Sequence, residues 1–109
     1  NLFKNKFLKE IRLSFKKGKT FVLFTLRKLI SLDSYELFNF YNLLASFIAE
    51  LVADLKYEIG YLISKGGIII NLILSNGLNA DYVYLEGQIL TGISVVNCNL
   101  KNDEKLLIV

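Results

Sequence analysis

Histidine, proline, methionine and tryptophan are absent from this chain of 109 residues, and cysteine occurs once. Without histidine, catalytic triads that use it and zinc sites of the Cys/His type are excluded. One cysteine cannot close an internal disulfide, which excludes a disulfide-stapled secreted scaffold. Charged residues make up 21% and hydrophobic residues 53% of the chain, which excludes a disordered tail. The length predicts one domain of ordinary size with one modest core.

Patterns that would indicate an enzyme are also missing. Neither Gly66-Gly67 nor Gly87 lies in a phosphate-loop or dinucleotide-binding glycine pattern. Carboxylates such as Glu50 and Asp54 recur every four residues along helical segments, which is typical of a solvated helix face and not of a catalytic acid/base pair. Cys98 is interpreted as an inert small residue. We therefore expect no catalytic residue, no metal site, no cofactor and no small-molecule substrate.

Residue types with A/T-rich codons are abundant in the chain. Phe, Tyr, Ile, Asn and Lys account for 47 of the 109 residues, whereas Arg occurs twice and Ala four times. This bias is typical of a gene under strong A/T pressure, as in a protist organelle or a reduced parasite genome. Because the chain starts at Asn1 and lacks methionine, we expect the encoded protein to extend beyond these residues.

Basic residues are concentrated in the first thirty positions. Residues 1–30 hold nine cations and one acid, a formal charge of +8, whereas residues 31–109 hold four lysines and nine acids, a formal charge of −5. This asymmetry predicts contact with a polyanion, either a nucleic acid or an anionic membrane surface. The alternative is the solvated face of an amphipathic helix. The nine cations are Lys4, Lys6, Lys9, Arg12, Lys16, Lys17, Lys19, Arg27 and Lys28.

The sequence predicts no transmembrane span, although the mean hydropathy is +0.43. The longest stretches without charge are residues 37–49, 66–80 and 87–100, and none reaches the ~18–20 residues of a spanning helix. No secretory signal is visible, because the apolar run 20–26 is short and lacks a small-residue cleavage site. The N-terminus is rich in Lys rather than Arg and Ser, unlike an import presequence, so an organellar protein of this kind would be made in the organelle.

Helical periodicity dominates the N-terminal half. Phe3, Phe7 and Ile11 recur at four-residue spacing, which predicts a helix over residues 2–17 that ends at Gly18.

The segment that follows, residues 20–32, fits either a strand or a helix. N-cap candidates then predict a new helix that begins near Asp33 or Ser34. Apolar positions from Leu43 to Val52 follow the spacing i, i+1, i+4, i+5, i+8 and i+9, which predicts a helix over residues 42–53.

A further helix is predicted over residues 55–65. Asp54 is a suitable N-cap, and Lys65 followed by Gly66-Gly67 is a suitable C-terminus. We expect this helix to pack against the preceding one, with Gly60 at the close approach between them.

After the glycine pair the pattern favours β-structure. Strands are predicted over residues 68–71, 82–85 and 88–90, the last two joined by a turn at Glu86-Gly87, and 93–96 is a candidate for one more. The fold class is therefore predicted as α+β: a basic N-terminal helical segment, then two packed helices, then a small antiparallel sheet. Leu106 to Val109 are apolar enough to need a partner surface.

Two segments in the second half carry a recognisable pattern. Residues 62–71 read Leu-Ile-Ser-Lys-Gly-Gly-Ile-Ile-Ile-Asn, and residues 81–90 read Asp-Tyr-Val-Tyr-Leu-Glu-Gly-Gln-Ile-Leu. With the helices before them, they resemble the small RNA-binding domain of the ribosomal small-subunit protein four family (S-four). That family has Val-Ser-His-Gly-His-Ile-x-Val-Asn followed by Ser-Tyr-x-Val-x-x-Gly-Asp-x-Ile. Here two extra residues separate the segments, and Asn42-Leu43-Leu44 stands where the family has Arg-Leu-Asp.

The resemblance implies RNA binding without catalysis. Pseudouridine synthases and tyrosyl-tRNA synthetases that carry this module have separate catalytic domains, which do not fit in this length. The alternative interpretation of Lys56 is a solvent-facing helix lysine, and that of Asn71 is the end of a strand. Lys65 with its two glycines has another, a plain helix C-cap. The RNA contacts that the resemblance implies in this half are Lys56, Lys65, Gly66, Gly67 and Asn71.

Two functional hypotheses follow from these patterns. The first is a structural constituent of the small ribosomal subunit of a mitochondrial ribosome, in the matrix, that binds ribosomal RNA and contacts neighbouring ribosomal proteins. Its expected parts are a basic helical extension over residues 1–41, an S-four-like domain over 42–97 and a C-terminal tail over 98–109. The second is a small membrane-associated accessory subunit of a respiratory complex, held on lipid by the N-terminal amphipathic helix.

Overall fold

The computed structural model describes residues 2–24, 33–101 and 104–109. Its helices and mixed four-stranded sheet confirm the predicted α+β class. The chain divides into two compact units, Asn1–Leu43 and Leu44–Val109.

Helix α1 spans Leu2–Lys16 and confirms the helix predicted at the N-terminus. Leu8 and Ile11, three residues apart, are its buried positions. The helix ends as expected at Gly18, which has a φ of 69° and donates its N–H to the carbonyl of Phe15 at 3.0 Å. A left-handed glycine at this position terminates the helix without a side-chain penalty.

Helix α2 spans Ser34–Leu55 and begins where the sequence predicts. Asp33 caps it, since its Oδ1 accepts a hydrogen bond of 2.7 Å from the backbone N–H of Glu36. The helix predicted over residues 42–53 lies inside α2. The division between the two units also falls within this helix.

The helix predicted over residues 55–65 is wrong. The chain leaves the helical path at Leu55, whose carbonyl accepts the N–H of Glu58 at 2.8 Å, and then forms the short strand β1, Tyr61–Leu62. β1 pairs in parallel with Leu107 and Ile108 at the other end of the chain. A non-local pairing has therefore replaced the local helical preference.

The strand predicted over residues 68–71 is also wrong. Helix α3 spans Gly67–Leu72 and continues directly into a π-helical segment, Ile73–Gly77. The apolar residues of α3 and of the π-helical segment recur at helical spacing, and Ile73 in the second is 1% exposed and lies in the core. A Cβ added to Gly77 would lie 2.8 Å from the carbonyl oxygen of Ala49, so this segment packs closely against α2.

Within the described ranges the sheet has three further strands: β2 (Tyr84–Leu90), β3 (Ile93–Asn99) and β4 (Lys105–Ile108). The strand order is β1-β4-β3-β2, so the short β1 and the seven-residue β2 form the edges. β1 and β4 are parallel, whereas the other neighbours are antiparallel. The sheet is thus mixed rather than purely antiparallel as predicted.

The turn expected at Glu86-Gly87 is wrong, because β2 runs through this position with an irregularity in its pairing between Leu85 and Gly87. The chain instead reverses between β2 and β3, where Gly92 has a φ of 85°. The strand proposed over residues 93–96 is confirmed and extends to Asn99.

The apolar C-terminus finds its partner surface within the chain. Leu106 and Ile108 on β4 are 0% and 2% exposed, and Cys98 on β3 is 0% exposed. They form one cluster with Val52 and Ile73. Residues that the sequence assigns to a tail therefore belong to the core of the second unit.

Candidate nucleic-acid interface

Four cations form one face of α1, which we call the basic face: Lys6, Lys9, Arg12 and Lys16. Successive members are three or four residues apart, so they lie on one side of the helix, and all four are exposed. They extend over about 15 Å of helix length at 1.5 Å per residue. The buried positions of α1, Leu8 and Ile11, lie outside this face.

Like charges follow one another along the basic face. Lys9, Arg12 and Lys16 have no acid three or four residues away, and each has another cation at that spacing. Like charges so placed cost an isolated helix about 0.2–0.5 kcal/mol per pair. Glu10, the one acid of this segment, lies beside Lys6 at i+4. A bound polyanion would relieve this repulsion.

The cations that follow α1 are presented by an ordered turn. The N–H of Lys17 lies 3.2 Å from the carbonyl of Ser14, and the N–H of Lys19 lies 3.0 Å from the same oxygen. Both side chains are exposed. Lys4 is half-buried and has a partner of its own. The remaining predicted contacts, Arg27 and Lys28, lie outside the described residues.

Lys56 lies in the turn after α2 rather than on a second helix. Its Nζ is 5.5 Å from the centroid of the Tyr57 ring, a cation–π contact, and the side chain is half-buried. Tyr57 is 47% exposed. This contact engages the ammonium group locally, which favours the structural interpretation of Lys56.

The Lys65-Gly66-Gly67 segment precedes a helix instead of ending one, so the predicted C-cap is wrong. Gly66 is the N-cap of α3 with φ 112° and ψ 127°, and its carbonyl accepts the N–H of Ile70 at 3.2 Å. All three residues are exposed, and a Cβ at either glycine would have no neighbour within 4 Å. The backbone here is open to a close-approaching ligand.

Asn71 lies within α3 and not at the end of a strand. It is exposed, and its carbonyl accepts the hydroxyl of Ser75 at 2.9 Å. The structure thus places Asn71 on the same helical element that Gly66 begins. Lys56 belongs to a separate turn.

Groups that could bind a metal or act as a nucleophile do not assemble in the part of the chain that the structure describes, where no three Cys, Asp or Glu residues are grouped to hold an ion. The thiol of Cys98 is buried, and this burial raises its pKa. A neutral, enclosed thiol has little nucleophilic character.

An exposed apolar surface on β2 was not predicted from the sequence. Leu85, Ile89 and Leu90 are 61–70% exposed. Tyr82 and Tyr84 precede them in the chain, and the centroids of the two tyrosine rings are 5.5 Å apart in an edge-to-face arrangement. A hydrogen bond with Tyr84 raises the pKa of Tyr82, and the charge of Asp81 adds to this. The available signal was the lack of polar alternation along residues 82–90.

Helix α2 is long and apolar enough to cross a membrane by length and composition, and it is the one such helix among the described residues. Only 22% of its most apolar window is buried. Tyr35, Phe38 and Leu43 are 61–74% exposed on its first half. Core helices of soluble proteins can have the same length and apolar composition, so this observation is weak evidence for a span.

No protein-family model, curated protein sequence or solved structure matches this chain.

Proposed function

We propose that this protein is a structural, non-catalytic constituent of the small subunit of a mitochondrial ribosome, where it binds ribosomal RNA. The observation that carries the proposal is the basic face of α1, whose four cations are all exposed on one side of the helix.

The physics of this contact is counterion release. Each phosphate that a lysine or arginine neutralises frees condensed cations from the RNA, which gives affinity without sequence readout. A helix face of cations suits this contact, because structured RNA is recognised largely through phosphates, 2′-hydroxyls and shape. No aromatic residue interrupts the basic face, which argues against base stacking as its mode of binding.

Three further features support a ribosome as the setting. The segments 62–71 and 81–90 resemble the S-four domain in sequence, and the strong A/T bias is typical of an organelle gene. Large apolar side chains are exposed on both α2 and β2. Within a ribosome, neighbouring proteins would cover such surfaces, which a free monomer rarely maintains.

Extraction of the native particle tests the proposal. The tagged protein should sediment with the small ribosomal subunit, and nuclease or high salt should release it. Lys9→Glu with Lys16→Glu should reduce incorporation strongly, whereas Lys101→Glu with Lys105→Glu, the same charge change on exposed lysines of the second unit, should not. Equal effects of the two pairs would contradict the proposal.

A second candidate function rests on the exposed apolar helix α2. A membrane-associated accessory subunit of a respiratory complex would bury this helix in lipid and lay the basic face of α1 on anionic headgroups. Such a protein would resist salt and nuclease and would need detergent for release. The extraction experiment therefore separates the two functions.

A further inference from the structure

One row of side chains crosses all four strands on the face of the sheet that points away from the core. Tyr84 on β2 pairs with Asn97 on β3. Asn97 also pairs with Leu107 on β4, which in turn pairs with Tyr61 on β1. Residues paired in this way project to the same face of a sheet, and the next residue of β3, Cys98, is buried on the opposite face. Tyr61, Leu107 and Tyr84 are 50%, 37% and 49% exposed, so the row is an open surface.

A carboxylate is held at the β2 end of this row. Glu86 lies at the irregularity in β2 between Leu85 and Gly87, and its Oε1 accepts a hydrogen bond of 2.6 Å from the side-chain amide of Asn97. Because Asn97 pairs directly with Tyr84, ahead of the irregularity, this hydrogen bond places the carboxylate beside the Tyr84 side chain. The hydrogen bond engages one carboxylate oxygen, and the other can accept from an external donor.

A second tyrosine stands next to the first. The ring centroids of Tyr82 and Tyr84 are 5.5 Å apart with an interplanar angle of 89°, and Tyr82 is 65% exposed. Tyr82 is hydrogen-bonded to Tyr84 and also feels the charge of Asp81. We call Asp81, Tyr82, Tyr84 and Glu86 the tyrosine–acid corner. It combines two exposed aromatic rings, whose faces attract cations, with two carboxylates.

We propose that the tyrosine–acid corner binds an arginine side chain of a neighbouring protein. A guanidinium is planar, stacks on an aromatic face and donates hydrogen bonds to a carboxylate, so it matches this set of groups better than an ammonium does. The row continues from Tyr84 to Leu107 and Tyr61, which an apolar part of the same partner would cover. Strands lie about 4.7–4.9 Å apart, so Tyr61 is about 14 Å from Tyr84, a distance that about four residues of an extended segment span.

Charge favours a cationic protein segment over RNA at this corner. Residues 66–100 contain Asp81 and Glu86 and no cation. Lys105, the one lysine in the four strands, pairs with Asn99, two residues along β3 from the row. Sites for single-stranded RNA combine aromatic rings with a positively charged groove, whereas these acids would repel phosphates. The corner belongs to the second unit and α1 to the first, so an arginine site here goes beyond the proposed RNA contact and does not depend on it.

A nuclear magnetic resonance titration of the ¹⁵N-labelled full chain tests the proposal. The probe is the peptide acetyl-Arg-Ser-Leu-Ser-Leu-amide, which carries one arginine and an apolar residue four positions later. Its addition should cause saturable shifts centred on the amides of Tyr84, Glu86, Asn97 and Leu107. The same peptide with citrulline, a neutral analogue of arginine, should bind about fivefold more weakly, because the cation–π contact and the ion pair are both lost.

Two substitutions separate the contributions of charge and ring. Glu86→Gln keeps an oxygen for Asn97 and should weaken the arginine peptide about two- to fivefold without affecting the citrulline peptide. Tyr84→Leu keeps an apolar side chain and should weaken the arginine peptide by a similar factor of about two to five. Glu104→Gln is the matched control, since it makes the same charge change on an exposed acid of the second unit and should leave the affinity unchanged. Circular dichroism should show native folding for every variant.

Several results would overturn the inference. These are the absence of saturable shifts, shifts centred on another surface, equal affinities for the arginine and citrulline peptides, or equal effects of Glu86→Gln and Glu104→Gln. Oligouridylate that displaced the peptide from these amides would overturn it too, because the occupant would then be RNA. Binding of duplex RNA should be the same for the parent and all three variants, so failure of the arginine site and failure of the proposed function are distinguishable.

Discussion

Neutralising two lysines of the basic face should weaken RNA binding by a calculable amount. We consider Lys9→Gln with Lys16→Gln, which keeps helix propensity nearly constant because Lys and Gln rank together. Each phosphate contact contributes about 0.7–0.9 to the slope of log affinity against log salt, so the slope should become shallower by about 1.4–1.8. At 0.1 M salt this corresponds to an affinity loss of about 25- to 60-fold.

The assay is fluorescence anisotropy with a labelled RNA duplex over a salt series, alongside circular dichroism of each protein. Lys101→Gln with Lys105→Gln is the matched control, because both lysines are exposed and the net charge changes equally. The control should shift the slope by much less. If both pairs changed slope and affinity alike, the protein would act as a diffuse cation, and the assignment of the site to α1 would be refuted.

Four further predictions concern the fold and its thiol. Gly77→Ala should lower the free energy of unfolding by about 1–3 kcal/mol in urea titrations, because the new Cβ would lie 2.8 Å from the backbone of α2; wild-type stability would contradict the close packing. Leu106→Ala, at 0% exposure, should cost about 2–5 kcal/mol in the same assay, and a loss below 1 kcal/mol would mean that β4 is not in a packed core. Gly66→Ala should cost about 1–3 kcal/mol for its φ of 112°, whereas Gly67→Ala, which also has open space around it, should not; equal stabilities would remove the positive φ from the account. Burial raises the pKa of Cys98, so the thiol ionises at a lower pH in the unfolded chain than in the folded protein, and the free energy of unfolding should fall as pH rises above the ordinary thiol pKa. Alkylation of Cys98 at neutral pH should be slow until denaturant is added, and rapid labelling of the folded protein would contradict its burial.

Local signals in the sequence predicted the first two helices well. α1 repeats its apolar residues at four-residue spacing and ends at a left-handed Gly18, and α2 starts at the cap that Asp33 provides. In both places neighbouring residues supply the cause, so no knowledge of the rest of the chain is needed. The positions of the cations on α1 follow from the same periodicity, and the basic face could therefore be predicted.

The errors between residues 55 and 77 have a non-local cause. The pairing of Tyr61–Leu62 with β4, more than forty residues later in the chain, leaves no trace in local periodicity. Three consecutive isoleucines favour a strand by propensity, but Ile69, Ile70 and Ile73 lie on the core side of a helical turn. That i, i+1, i+4 spacing indicates the helix α3, whereas the β-branched side chains led to the wrong prediction of a strand. The segment 65–71, which was predicted to present RNA contacts, therefore leads into a helix instead of a strand.

Ultraviolet crosslinking of the native particle, followed by sequencing of the attached RNA and mass spectrometry of the attached peptide, tests the central claim most directly. We predict that small-subunit ribosomal RNA is crosslinked to a peptide from residues 2–24, which includes α1, and that high salt applied before irradiation abolishes the crosslink. Absence of ribosomal RNA from a particle that only detergent releases would contradict the account and favour the membrane-associated subunit.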